Sequence, residues 1–194
     1  MTAIKDSVVL VTAVVEQVRD VTVLVNNAGI ARGTQFLTSP LDDIRREFEI
    51  NFYGPLLLAR ALVPVIERNG GGHVLNVHSV LSWVAEGGAC SASKAAFWSQ
   101  TNSLRLALKP RGIGVTGLHM GYVDTDMAAH AEGPEAKPEG IAAAALDGVE
   151  SDAYEVLADD ITRWAKGALS GDLAAMYAQP RPVTGPATAP RPSL

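Results

Sequence analysis

The chain has 194 residues, 47% of them hydrophobic and 19% charged, which describes one globular domain with a sizeable core. Its net charge of −5 excludes nucleic acid as a partner, because phosphate binding needs clustered Lys and Arg. No apolar run reaches membrane-spanning length and Met1–Asp6 carries no signal pattern, so no membrane partner is expected and a cytoplasmic protein is the default reading.

Residues 6–19 admit two readings. Val8, Val11, Val15 and Val18 fall on one helical face with Asp6 or Ser7 as a cap, which favours a helix. The run Val8-Val9-Leu10-Val11 also suits a short strand. Val21–Val25 reads as a strand buried on both faces of a parallel sheet. It runs into Asn26-Asn27-Ala28-Gly29, at the carboxyl end where an α/β sheet places its ligand crevice. Gly29 lets the backbone approach a ligand closely, and the two Asn amides can bond loop backbone or a nucleotide. Ser39-Pro40-Leu41-Asp42 marks a helix start, with Ser39 at the N-cap, Pro40 at the first position and Asp42 at the third. That helix is predicted to run to about Glu67. Leu41, Ile44, Phe48, Asn51 and the stretch Leu56–Ile66 supply its buried face, and Pro55 and Pro64 kink or divide it.

Gly70-Gly71-Gly72 ends the helix, His73–His78 is the next strand, and Ser79 follows its carboxyl end. A helix from Ser91 to about Leu108 is closed by Lys109-Pro110 and Gly112. Ile113–Leu118 is a third buried strand. A loop through Gly121 and Asp124 leads into a Gly/Pro/Glu-rich segment at 132–140. Tyr154–Leu157 is a short last strand, and Asp159 caps a helix to about Leu169. Residues 180–194 hold five prolines and are expected to be disordered or polyproline-like, leaving 1–179 as the domain. Strands alternating with helices imply an α/β fold, a parallel sheet of four strands with right-handed crossovers. One cysteine, Cys90, excludes an internal disulfide and a multi-cysteine metal site. His73, His78, His119 and His130 show no ligand spacing, so no metal is expected.

Asn26-Asn27-Ala28-Gly29 after a strand, and Ser91-Ala92-Ser93-Lys94-Ala95-Ala96 on a later helix, resemble the short-chain dehydrogenase/reductase family. The resemblance covers roughly residues 6–170. It implies the second half of a doubly wound, Rossmann-like sheet, NAD or NADP as cofactor, and hydride transfer to or from a small carbonyl or alcohol. It also implies a homo-oligomer, through a helix pair matching 40–67 and 91–108. No G-x-x-x-G-x-G turn lies among the first 20 residues, so the diphosphate lacks its usual helix-terminus site and weak dinucleotide binding is expected.

Family members use a Tyr and a Lys in Y-x-x-x-K, a Ser upstream and an Asn on the long helix. The logic is a phenol acid tuned towards neutral pH by a neighbouring cation. The resemblance puts Lys94 at the lysine, Ser79 at the serine and Asn51, in Asn51-Phe52-Tyr53-Gly54, at the asparagine. Cys90 stands where the tyrosine belongs, eleven residues after Ser79 and slightly closer than the family spacing. Tyr53 lies on another helix and Tyr122 on another loop, so neither is expected to replace it. Gly121-Tyr122-Val123-Asp124-Thr125 resembles the family segment P-G-x-x-x-T, with Met120 in place of proline. Val123 backbone and the Thr125 hydroxyl would then meet the carboxamide, and Asn26, Asn27, Ala28, Gly29, Lys94 and Gly121 would complete the cofactor side.

Each residue has a plainer reading. Ser79 suits a strand-end turn and Asn51 suits bonding to backbone at a helix kink. Cys90 is either a small buried apolar residue or a thiol with a pKa near about 8.5, partly ionised beside Lys94. Trp83, Met120 and Met127 are core or pocket wall. Two functions therefore stand: an NAD(P)-dependent oxidoreductase, or an inactive remnant serving as a binding or oligomerisation module.

Overall fold

Valine, leucine and isoleucine at 23–26, 72–77 and 113–119 build the centre of one parallel sheet. The computed structural model describes residues 18–124 and 136–178. Its four strands are β1 (Val23–Asn26), β2 (Gly72–Val77), β3 (Ile113–His119) and β4 (Glu155–Leu157), in the order β1-β2-β3-β4 and all parallel. Asn26 pairs with Asn76, and Val77 with Leu118. This register brings the segments after β1, β2 and β3 to the same carboxyl edge, where α/β sheets hold ligands.

The helices are α1 (Leu41–Phe48), α2 (Gly54–Arg68), α3 (Ala89–Leu108), α4 (Pro138–Glu150), α5 (Asp160–Ala168) and α6 (Leu173–Ala178). Neighbouring strand residues point to opposite faces. Val74 and Val115 pack with Leu62, Val63, Ile66 and Leu108 of α2 and α3, while Leu75 and Leu118 pack with Ile141 and Ala145 of α4. A third cluster joins Val80, Trp83 and Val84 to Ile161, Ala165 and Met176. Burying one such side chain is worth about 1.5–3 kcal/mol, so these clusters carry the fold. The continuous helical stretch Leu41–Arg68 is long and apolar enough by composition to cross a membrane. Here Ala59, Leu62, Val63 and Ile66 of that stretch are spent on the sheet.

Several expectations shift. β1 starts at Val23, and only Leu24 and Asn26 are buried; Val23 and Val25 are 48% and 52% exposed. A strand buried on both faces is thus not what forms: Leu24 packs with Val74 and Val115 on the α2 side, while α4 covers Leu75 and Leu118 and, among the described residues, nothing covers Val23 and Val25. Ser39 does not cap α1. Its hydroxyl accepts from Gln35 N at 2.8 Å, and Pro40 holds the N-cap position. Leu41 is exposed, and the buried residue of α1 is Glu47. The long helix is divided where Glu49–Tyr53 widens into a π-helical turn just before Pro55, whose ring nitrogen has no hydrogen to donate. α3 begins at Ala89, two residues early, after Gly88 at φ 55°, where a side chain would collide with Thr34 O. α4 and α6 stand outside the expected elements, although Pro138 with Glu139 opens α4 and Asp172 accepts from Ala174 N at 3.1 Å at the start of α6. Asp159 caps α5 as expected, in a reciprocal box with Thr162. The helix reading over 6–19 falls almost wholly outside the described residues, and the tail 180–194 wholly outside them.

Candidate active site at the carboxyl edge of the sheet

Lys94 sits one turn into α3, and its ammonium reaches across to β2, donating to Val77 O at 3.1 Å. Burial pushes its pKa down, and the neighbouring Cys90 charge pulls it back up. The segment after β1 closes over it. A Cβ on Gly29 would stand 3.4 Å from Lys94 Nζ and 3.2 Å from Asn51 Oδ1, so glycine leaves space that alanine would narrow. Lys94 has three donor hydrogens. The bond to Val77 O uses one of them.

Asn51 lies on the π-helical turn, which swings its amide to the loop after β1. Its Oδ1 accepts from Ile30 N at 2.8 Å, and its Nδ2 donates to Ile30 O at 2.9 Å and to Ser93 Oγ at 3.0 Å. Ser93 in turn donates to Cys90 O at 2.8 Å. The backbone-bonding reading of Asn51 therefore holds, and the bond has a consequence: it fixes the loop that carries Gly29 against the helix that carries Lys94. Glu47 does the same one turn earlier, accepting from Arg32 N at 2.6 Å and from Thr34 Oγ1 at 2.8 Å while fully buried. Sequence reading missed Glu47. Its signal was the spacing of four residues to Asn51, which stacks both on one helical face.

Asn26 is buried and donates to Asn76 Oδ1 at 2.8 Å; Asn76 donates to Thr101 Oγ1 at 2.8 Å. Asn26 Oδ1 has no partner, so one buried acceptor at the carboxyl end of β1 awaits a donor. Asn27 and Ala28 are exposed at the rim.

Cys90 is 4% exposed. Burial pushes its thiol pKa up; Lys94 opposes that and Glu47 adds to it. The partly ionised thiol is thereby overturned, since Lys94 does not outweigh the desolvation, and Cys90 is a buried neutral side chain at neutral pH. Ser79 stands at the end of β2, where its Oγ accepts from Leu81 N at 3.2 Å and caps the short 3-10 turn Val80–Ser82. It is half-buried, and among the described residues no acceptor takes its hydroxyl proton. Gly121 N donates to Asp159 Oδ2 at 2.6 Å, and Val123 bridges to Ala136. Thr125 and Met127 lie outside the described residues.

Below Ser79 is a block that the sequence did not announce. The His119 ring is stacked between Trp83 (4.0 Å) and His78 (4.8 Å). Lys166 lies 4.9 Å over both Trp83 and Trp98 and is paired with Glu155 at 2.6 Å. Thr101 gives its proton to Phe97 O, so the 3.0 Å contact from His78 Nε2 to Thr101 Oγ1 makes Nε2 the protonated nitrogen. Burial holds both imidazoles neutral, His119 with a pKa of about 4. Trp83 thus serves as core, as one of its two readings held. A depression of about 440 Å³ lies at the opposite, amino edge of β2 and β3, lined by His73, Arg105 and Tyr154, and is separate from this site.

Known proteins bear on this geometry. Residues 1–136 match the short chain dehydrogenase family. The 1-deoxy-11-beta-hydroxypentalenate dehydrogenase of Streptomyces exfoliatus is 37% identical over 117 residues, 58% of this chain and 42% of that protein. The NADPH-dependent 1-acyldihydroxyacetone phosphate reductase of Schizosaccharomyces pombe is 35% identical over 104 residues, 53% of this chain and 35% of that protein. The chain thus spans less than half the length of these relatives. A short chain dehydrogenase from Burkholderia cenocepacia, solved in complex with NADP, superposes with a TM-score of 0.83 at 32% identity, covering 88% of this chain and 73% of that one. The match over residues 1–136 and the parallel sheet agree, and the chain belongs to the short-chain dehydrogenase family.

Proposed function

We propose that the chain is a nicotinamide-dinucleotide-dependent oxidoreductase acting on a small carbonyl or alcohol. The observation that carries this is the half-buried Lys94 ammonium, held on Val77 O with spare donors, facing Gly29 at the carboxyl edge of the sheet. The residues fit the ribose and nicotinamide end of such a cofactor. Lys94 would donate to the ribose hydroxyls, the open Asn26 Oδ1 and the rim at Asn27–Gly29 would face the sugar, and Gly121, Val123 and Thr125 would meet the carboxamide. When bound, the cofactor supplies or accepts the hydride. Ser79 would hydrogen-bond the substrate oxygen through its hydroxyl and orient it. Asn51 would hold the site's geometry through Ile30 and Ser93. The NADP-bound neighbour of known structure supports the cofactor class.

A second reading, a binding or oligomerisation module without turnover, is favoured by Cys90, a buried thiol with no way to reach a substrate. Association of copies draws on β1, where Val23 and Val25 are exposed and, among the described residues, β2 is the strand's one partner. Binding and turnover separate the two readings. NADPH and NADH are titrated by fluorescence, and oxidation of each is followed with acetophenone and cyclohexanone. The first reading expects binding weakened at least tenfold by Lys94→Met, about 1.4 kcal/mol, together with ketone-dependent oxidation. Binding without oxidation supports the second, and affinity indifferent to Lys94→Met refutes the site.

A further inference from the structure

We propose that Tyr122 is the proton donor to the substrate oxygen at this site. The proposal rests on the oxidoreductase reading above and departs from the expectation that no tyrosine serves there.

The chain leaving β3 is fastened beside Ser79. Val80 N donates to Met120 O at 2.9 Å, which lays Gly121 and Tyr122 against the turn that Ser79 caps. Gly121 N is held by Asp159 Oδ2, and Tyr122 O accepts from Ala136 N at 3.0 Å, followed by the bridge of Val123 to Ala136. Tyr122 is therefore clamped on both sides by backbone contacts. Its side chain is half-buried. The phenol lies within electrostatic reach of Cys90, the same residue that senses Lys94 and Glu47. Burial pushes the phenol pKa up, and a Cys90 thiolate formed in alkali would push it further, so Tyr122 is fully protonated at neutral pH and able to donate.

Other described phenols are placed elsewhere. Tyr154 bonds Lys109 and stacks under Arg105 at the amino edge of the sheet. Tyr177 holds Ala85 N through its hydroxyl. Tyr53 projects from the π-helical turn and is exposed. Tyr122 is the one fastened beside Ser79. In the reductive direction the Tyr122 O–H bond breaks as its proton passes to the carbonyl oxygen. The carbonyl carbon gains the hydride given up by a reduced nicotinamide dinucleotide. The products are the alcohol, the oxidised dinucleotide and a Tyr122 phenolate, which regains a proton from water.

The test uses the full chain, NADPH and the two ketones named above. Tyr122→Phe is expected to keep the melting temperature, to lower kcat by about 10²–10⁴-fold, and to change KM little. Tyr154→Phe is the control and keeps turnover. A second readout needs no turnover. The tyrosinate absorbance of the chain minus that of Tyr122→Phe isolates the Tyr122 ionisation, followed by pH jump with and without NADP⁺. The cationic nicotinamide ring is expected to lower that pKa by about 1–3 units. Full turnover in Tyr122→Phe overturns the assignment and leaves the reductase reading intact. Loss of turnover without the ionisation shift makes Tyr122 structural and also overturns it. A parent chain without turnover removes the reductase reading itself, and this proposal with it.

Discussion

Asn51→Ala removes the amide that ties the loop after β1 to the start of α3. Three hydrogen bonds vanish together: Ile30 N to Oδ1, and Nδ2 to Ile30 O and to Ser93 Oγ. Their weights differ. Ser93 keeps its bond to Cys90 O and loses only a donor to its lone pair. Ile30 N and O belong to a half-buried residue, so water replaces part of what the amide supplied. An orphaned buried group costs about 1–3 kcal/mol, and partial rehydration brings the total to about 3 kcal/mol rather than the full sum of three. A domain of this size loses roughly 2–4 °C per kcal/mol, so the melting temperature is expected to fall by about 6–12 °C. Calorimetry reads the shift, and hydrogen exchange at Ile30 reports where it arises. A drop under about 2 °C, with Ile30 still protected, would refute the view that this amide fixes the loop.

Glu47→Ala should cost about 2–5 kcal/mol in urea unfolding, because Arg32 N and Thr34 Oγ1 are both left unpaired; Glu47→Gln keeps one acceptor and should cost less. Stability should also fall in mild acid. The unfolded chain protonates His78 and His119 below about 6.5, whereas the folded chain keeps both neutral and protonates His119 only near 4. Their contribution is full above the unfolded value and is lost as pH falls from there towards about 4, with up to about 3 kcal/mol from His119. His119 is faced by Glu155 of β4, Lys166 of α5, Arg105 of α3 and the Ser79 backbone, and Glu155 opposes the shift. Thermal melts across that window should be flatter in His119→Phe, which keeps the ring stack; an unchanged profile would exclude the imidazole as the cause. Charging the open edge with Val23→Lys and Val25→Lys should reduce association seen by sedimentation while leaving the monomer's melt within about 0.5 kcal/mol. Equal association in both chains would remove β1 as the contact.

The strands were legible because burial writes a simple pattern: a run of Val, Leu and Ile between glycines has few other fates, and β2 and β3 start and end within a residue of where that pattern puts them. The helix punctuation was less legible. Ser39 had the chemistry of a cap but spent its hydroxyl on Gln35 N, and the sequence holds no mark of the π-helical turn beyond Pro55 after Gly54. α4 was missed because Ile141–Leu146 is mostly alanine, which gives a weak apolar stripe. Glu47 was passed over since a carboxylate in a charged helix reads as surface. Only the loop it receives, at Arg32 and Thr34, makes it interior.

At the site, type and order were readable, but reach was not. Lys94 and Asn51 are 43 positions apart in the chain, and nothing in either segment states that Gly29 will lie between them. The sheet does that work, by aligning the carboxyl ends of β1 and β2 through the Asn26–Asn76 pair. The same logic bears on Cys90. Position by position, a cysteine at the start of α3 reads as a lost acid. Once β3 is aligned with β2, Met120 O meets Val80 N, and the segment after β3, which carries Tyr122, is laid beside the turn that Ser79 caps. An acid group is selected by where its oxygen reaches and by the charges around it, and two strands delivered to one edge offer two routes to that place. A site of this kind is a property of the edge, so a residue lost from one segment is to be sought on its neighbour before the chemistry is counted as gone.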